Sequence, residues 1–114
     1  MVQPPVEVLE SAPEFDLDKW ARAVAQKETS SCTKGVGRFN NCHGIRPGNT
    51  APCTAGVSAS NFCIYNTQEE SYEAFKKIWS TVYTTDRFPT DKEAFKYSKD
   101  WGWRAIVIDI YNKM

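Results

Sequence analysis

The sequence contains no apolar run approaching the ~20 residues that span a bilayer, so a membrane-spanning helix is not expected. It has no surplus of either charge: 14 Lys and Arg balance 14 Asp and Glu. That balance argues against a dedicated nucleic-acid binder, because phosphate contacts need an excess of cations. Close cysteine pairs of the C-x2-C kind are missing and there is a single histidine, His43, which leaves little to hold a metal. No metal and no cofactor are expected. Met1 to Pro5 lack the basic flank and apolar stretch of a signal peptide, so the chain is expected to begin after a removed leader or inside a larger polypeptide. No internal repeat is present. The most telling absence is local: residues 29–68 carry Lys34, Arg38 and Arg46 but no Asp or Glu.

What remains is one domain's worth of chain, 114 residues with 41% hydrophobic content, enough for a single core. Residues 1–14 hold three of the six prolines and read as a linker or N-terminal arm before a domain at 15–114. A helix is predicted from Leu17 to Glu28 with Asp16 as N-cap, since Leu17, Trp20, Ala21, Val24 and Glu28 share one face. Residues 29–66 hold five of the six glycines and all four cysteines. They call for turns and short strands, with a hairpin over Ala51 to Tyr65 whose second strand contains Phe62 and Ile64. Helical signals then return. Thr67 with Glu70 fits a capping box before a stripe of Tyr72, Phe75, Ile78, Trp79 and Val82. Thr90 with Glu93 repeats that pattern before a short helix through Tyr97. Asp100 is placed to cap a last helix with Trp103, Ile106, Val107 and Ile110 on its inner face. Trp20, Trp79 and Trp103 are expected in the core, and Trp101 exposed at an edge. The class is α+β, mainly α: one helix, a loop or β-hairpin lobe, then three helices.

Cys32, Cys42, Cys53 and Cys63 are spaced for disulfides rather than for a metal centre or free buried thiols. Three connectivities are open. Cys32–Cys42 with Cys53–Cys63 is preferred, because each closes a local loop and the second staples the hairpin. Such bridges stabilise by about 2–4 kcal/mol each, mainly through the unfolded state. They belong to an oxidising compartment.

Glu28 ends the apolar face of the first helix. A carboxyl buried there would have its pKa raised and would hold a proton it can donate; at a frayed last turn it would simply be solvated. The words around it favour chemistry. Ala25-Gln26-Lys27-Glu28-Thr29 and Asn40-Asn41-Cys42-His43-Gly44-Ile45-Arg46, then Phe62 to Trp79, then Tyr97-Ser98-Lys99-Asp100 and Trp103 to Tyr111, come in an order that resembles the autolysin- and flagellar-type endo-N-acetylglucosaminidases of the lysozyme superfamily. The resemblance covers roughly residues 15–112. It departs from the family at Thr29, where Ser is usual, in the cysteines, and in its shorter length.

The resemblance implies a lysozyme-like fold and cleavage of peptidoglycan glycan strands, with Glu28 as general acid and Tyr97 beside it. It also implies that Asn41, His43, Gly44 and Tyr65 bind substrate. Each of these residues has a plainer alternative. Asn41 and Gly44 fit ordinary turn chemistry, His43 fits packing, Tyr65 fits a hairpin partner and Tyr97 fits a half-buried helix end. A retaining or inverting glycosidase needs a second carboxylate at about 5–5.5 Å or 6.5–9.5 Å, and residues 29–68 supply none. Glu69 and Glu70 suit a helix first turn; Asp100 alone among the later acids can approach a cleft. A lone acid suits either participation by the substrate's N-acetyl group or acid-then-base action giving the anhydro ends of a lytic transglycosylase. The cations of the lobe would attract the lactyl and peptide carboxylates of the strand. The expected partner is peptidoglycan, with the protein a monomer that is extracellular, in the cell envelope or virion-associated. Two rivals are a catalytically silent cell-wall module of the same fold and a small disulfide-stapled interaction domain.

Overall fold

The computed structural model describes residues 15–114; the linker or arm expected at 1–14 lies outside the described residues. Helix α1 spans Leu17–Thr29, and the Asp16 side chain accepts the Lys19 N–H at 3.1 Å, satisfying one of the free donors of its first turn. Trp20, Ala21, Ala23, Val24 and Ala25 are buried along it. Small residues on two sides let α1 be covered by two other helices. Helix α2, Gln68–Val82, begins at Thr67, whose hydroxyl accepts the Glu70 N–H at 3.2 Å. The expected capping box is only half there. The Glu70 carboxylate accepts from Asn66 N at 2.9 Å and from the Thr54 hydroxyl at 2.5 Å, so it ties the lobe to the helix start instead. Tyr72 is half-buried and Val82 exposed, which narrows the predicted stripe to Ala74, Phe75, Ile78 and Trp79.

Helix α3, Asp91–Ser98, has the complete capping box of Thr90 and Glu93. Helix α4 spans Trp103–Lys113 and buries Trp103, Val107 and Tyr111. Ile106, expected on that inner face, is 45% exposed: the buried line steps by four residues from Trp103 and passes it by. Asp100 does not cap α4 at its first turn; its Oδ1 accepts from Gly102 N at 2.8 Å and its carbonyl from Trp103 N at 3.2 Å. The core centres on Trp20, whose ring lies 5.6–6.2 Å from those of Phe15, Trp79, Phe88, Trp103 and Tyr111. Three tryptophans are therefore core residues, as the apolar stripes require.

Among the described residues the lobe between α1 and α2 has one short 3-10 helix, Gly35–Phe39, and a single antiparallel bridge, Val57 to Cys63. The hairpin expected over 51–65 is present as a short, irregular one: Ser58 N donates to Phe62 O at 2.8 Å, Ile64 N to Gly56 O at 2.8 Å and Ala55 N to Ile64 O at 2.9 Å. It does not extend into regular strands because alternate residues of its second arm bond outward. Cys63 N donates to Ile45 O at 2.9 Å and Tyr65 N to Phe39 O at 3.0 Å, so the arm is shared among three segments. The described residues are mainly helical with almost no strand. Disulfides join Cys32 to Cys42 and Cys53 to Cys63, the preferred pairing. No helix of the described residues is long and apolar enough to cross a membrane.

The junction after α1 is unusual. Ser30, Ser31 and Cys32 follow one another at φ +50°, +57° and +73°, a left-handed run that L residues adopt at about 1–2 kcal/mol each. Thr29 holds it. Its hydroxyl accepts from Cys32 N and donates to Cys42 O, both at 2.8 Å, and its carbonyl accepts from Thr33 and Lys34 N at 3.0 Å. Gly37 packs so closely on this turn that a Cβ there would lie 2.6 Å from the Cys32 carbonyl oxygen.

Candidate functional site

The last turn of α1 and the loop after Cys42 meet the α3–α4 corner around a cleft of about 540 Å³. Glu28, Gly44, Tyr97 and Trp103 line it, together with Arg46 and Asp100. Glu28 is exposed to this cleft, the solvated last-turn alternative and not the buried one, because α1 ends one residue later and the chain turns away. Its side chain is nonetheless held. The Trp103 indole N–H donates to Glu28 Oε2 at 3.0 Å. Gly44, at φ +69°, brings bare backbone over the other oxygen: a Cβ on it would sit 3.5 Å from Oε1. Gly44 thus suits its place beside Glu28, since glycine adopts a left-handed conformation without strain and puts no side chain on the approach.

Tyr97 is half-buried in the cleft wall, packed edge-on against Phe75 and Trp79 and tilted on Trp103 at 5.2 Å. Its hydroxyl makes no hydrogen bond among the described residues. Burial, and then the coulombic effect of Glu28, push its phenol far above the usual tyrosine range, so it stays a neutral O–H donor in the cleft wall. Tyr83 lines the same cleft and is raised by burial and then by Glu93.

Of the other sequence-derived candidates His43 reaches the cleft lining but is almost wholly buried, and Asn41 and Tyr65 lie elsewhere. Asn41 is fully buried and is a structural clamp, donating to the Ile45 and Cys63 carbonyls at 2.8 and 3.0 Å and accepting from Ile45 N at 2.9 Å. It fixes the loop and offers nothing to a ligand. His43 is 1% exposed: its ring stacks on Phe75 at 4.7 Å, Nε2 bonds the Ala21 carbonyl at 2.9 Å and Nδ1 the Ser71 hydroxyl at 2.8 Å. Desolvation lowers its pKa to about 4, so the neutral imidazole is a packing element with both nitrogens engaged. Tyr65 is likewise buried, its hydroxyl without a partner among the described residues, and burial followed by the charge of Glu70 pushes it up to about 12. It cannot stack on a sugar in this position.

The charge of the cleft also differs from the reading of the lobe. Lys34 and Arg38 do not line it; Arg46 does, joined by Lys27 from α1 and Lys96 from α3. Asp100 brings a second carboxylate from outside the lobe. Trp101 is exposed, stacked on Phe95 at 4.2 Å, and is not part of the lining. The residue that sequence reasoning missed is Trp103. Its apolar register explained the ring, but an indole N–H in a core needs an acceptor, and that requirement was the available signal. Among the described residues no cluster of His, Cys, Asp or Glu is placed to hold a metal ion. Set against protein-family models, curated proteins and solved structures, the chain matches none of them.

Proposed function

We propose that this chain is a small lysozyme-like enzyme that cuts the glycan strands of peptidoglycan, with Glu28 as the general acid. The observation that carries the reading is a carboxylate open to a cleft, anchored through one oxygen by Trp103 and overlaid by the bare backbone of Gly44. General acid catalysis needs a proton donor that can reach the glycosidic oxygen without first breaking its own supports. Glu28 meets that need: Oε2 is held and Oε1 has no side chain above it. The Glu28 proton passes to the leaving oxygen as the bond to C1 breaks. The resulting carboxylate then takes a proton from the next nucleophile, either water or a hydroxyl of the same sugar. Tyr97, kept as a neutral donor, is suited to orient the acetamido group beside C1.

Water as nucleophile gives a hydrolase, and the second carboxylate in the cleft, Asp100, favours it. The sugar's own hydroxyl gives the anhydro end of a lytic transglycosylase, which the carboxylate-free stretch 29–68 favours. Two disulfides suit an oxidising setting, so we place the protein outside the cytosol, in the medium, the envelope or a virion. The deciding experiment digests purified sacculi with wild type and Glu28→Gln and identifies new glycan ends by mass spectrometry. Reducing ends from wild type alone indicate a hydrolase and anhydro ends a transglycosylase. Equal release by both proteins removes Glu28 from the chemistry, and no release by either leaves a silent wall-binding module.

A further inference from the structure

Three cations line the cleft, Lys27, Arg46 and Lys96, and none of them is in an ion pair among the described residues. Arg46 differs from the two lysines in being braced. Its guanidinium lies 4.0 Å over the ring of Phe62, itself a cleft residue, and its Nη1 reaches the Ser60 and Asn61 carbonyls at 3.4 and 3.3 Å. A guanidinium held on an aromatic face keeps its plane, and with Nη1 occupied the remaining N–H groups form a fixed fork. Such a fork matches a carboxylate in two-point contact, whereas it gains little from a neutral acetamide or hydroxyl. Glu28 and Asp100 line the same cleft, yet neither is paired with it among the described residues.

We infer that Arg46, oriented by Phe62, is a specificity-determining residue that binds a carboxylate on the peptide-bearing side of the glycan strand. The cleft therefore selects strands carrying anionic substituents over neutral N-acetylglucosamine polymers. Lys27 and Lys96 add unoriented positive potential, which strengthens attraction at low salt and contributes little to the choice of ligand. The inference rests on the glycan-cleaving reading of the same cleft and adds the class of strand it takes.

The test uses calorimetric binding in a Glu28→Gln background, which removes turnover. The ligands are a peptide-bearing peptidoglycan tetrasaccharide and neutral chitotetraose, each at low and high salt. The peptide-bearing ligand is expected to bind about tenfold or more tightly, an advantage of the size a charge-assisted two-point contact supplies. Arg46→Gln should erase that advantage while leaving chitotetraose within about twofold, and Arg46→Lys should restore only part of it because the fork is gone. If Arg46→Gln unfolds, Phe62→Leu, which removes only the brace, is read in the same assay and should reduce the advantage. Equal binding of the two ligands overturns the inference, as does an advantage that survives Arg46→Gln or an equal loss of both ligands. Those outcomes leave the glycosidase reading standing. Equal release of sacculus ends by wild type and Glu28→Gln removes the catalytic reading alone, and failure of both ligands to bind removes both.

Discussion

The Trp103 indole N–H and the Glu28 Oε2, 75 residues apart in sequence, are joined at 3.0 Å. The bond links the end of α1 to the start of α4 across the floor of the cleft. Because the same indole packs at 5.9 Å on Trp20 and 5.2 Å on Tyr97, the position of the carboxylate is set by the core. Replacing Trp103 with Phe keeps most of the ring packing and removes the donor. A hydrogen bond contributes roughly 0.5–1.5 kcal/mol, so kcat on peptidoglycan is expected to fall about two- to tenfold. A thermal melt distinguishes this from unfolding: the fall in rate should exceed what the loss of folded protein explains.

Gly44→Ala is expected to cost about 1–2 kcal/mol of stability, because its φ of +69° lies where L residues are strained. Its methyl would also stand over Glu28 Oε1 at 3.5 Å. Activity should therefore drop several-fold even at temperatures where the variant is fully folded, and urea melts run beside the activity assay check both effects.

Acid sensitivity follows from His43. Its folded pKa of about 4 lies below the ordinary 6.5, so as pH falls the unfolded chain takes up the proton first. Stability contributed by the neutral ring is then full above about pH 6.5, declines as pH falls toward 4, and levels off below. The change integrates to roughly 3 kcal/mol at most. Urea melts across that range should show the decline, and His43→Gln should flatten it.

The two disulfides are expected to separate stability from activity. Removing Cys53–Cys63 as a double alanine variant should cost about 2–4 kcal/mol with little loss of rate in the folded protein. Removing Cys32–Cys42 should cost a similar amount and also lower the rate, because that bridge restrains the left-handed run that begins two residues after Glu28. Dye release from labelled sacculi, measured well below the melting midpoint, tests the difference.

The helices were legible in the sequence because caps and apolar spacing are local. Asp16, Thr67 and Thr90 mark three helix starts where the structure has them. The Thr90 box closes as written, while Glu70 turns to Asn66 and Thr54 because the lobe brings better-placed donors to it. The lobe was read less well. Asn41 and His43 carry polar groups that in sequence could face a ligand or the backbone, and only their burial decides for the backbone. The cleft's Lys27 lies about 70 residues from Lys96 and Asp100 in the chain, so no local pattern groups the three. Gly44 was placed beside Glu28 through its motif, and its left-handed conformation supplies the physical reason.

The sparse strand content of the lobe has a mechanical consequence. Cys42 N donates to the Ser71 hydroxyl at 2.9 Å, His43 bridges Ser71 and the Ala21 carbonyl, and Thr29 holds the Cys42 carbonyl. The lobe is thus stitched to α1 and α2 at the very residues that flank the cleft. The lobe side of the cleft therefore moves with α1 and α2 as one piece, and any change in the width of the gap has to come from the α3–α4 corner that faces it.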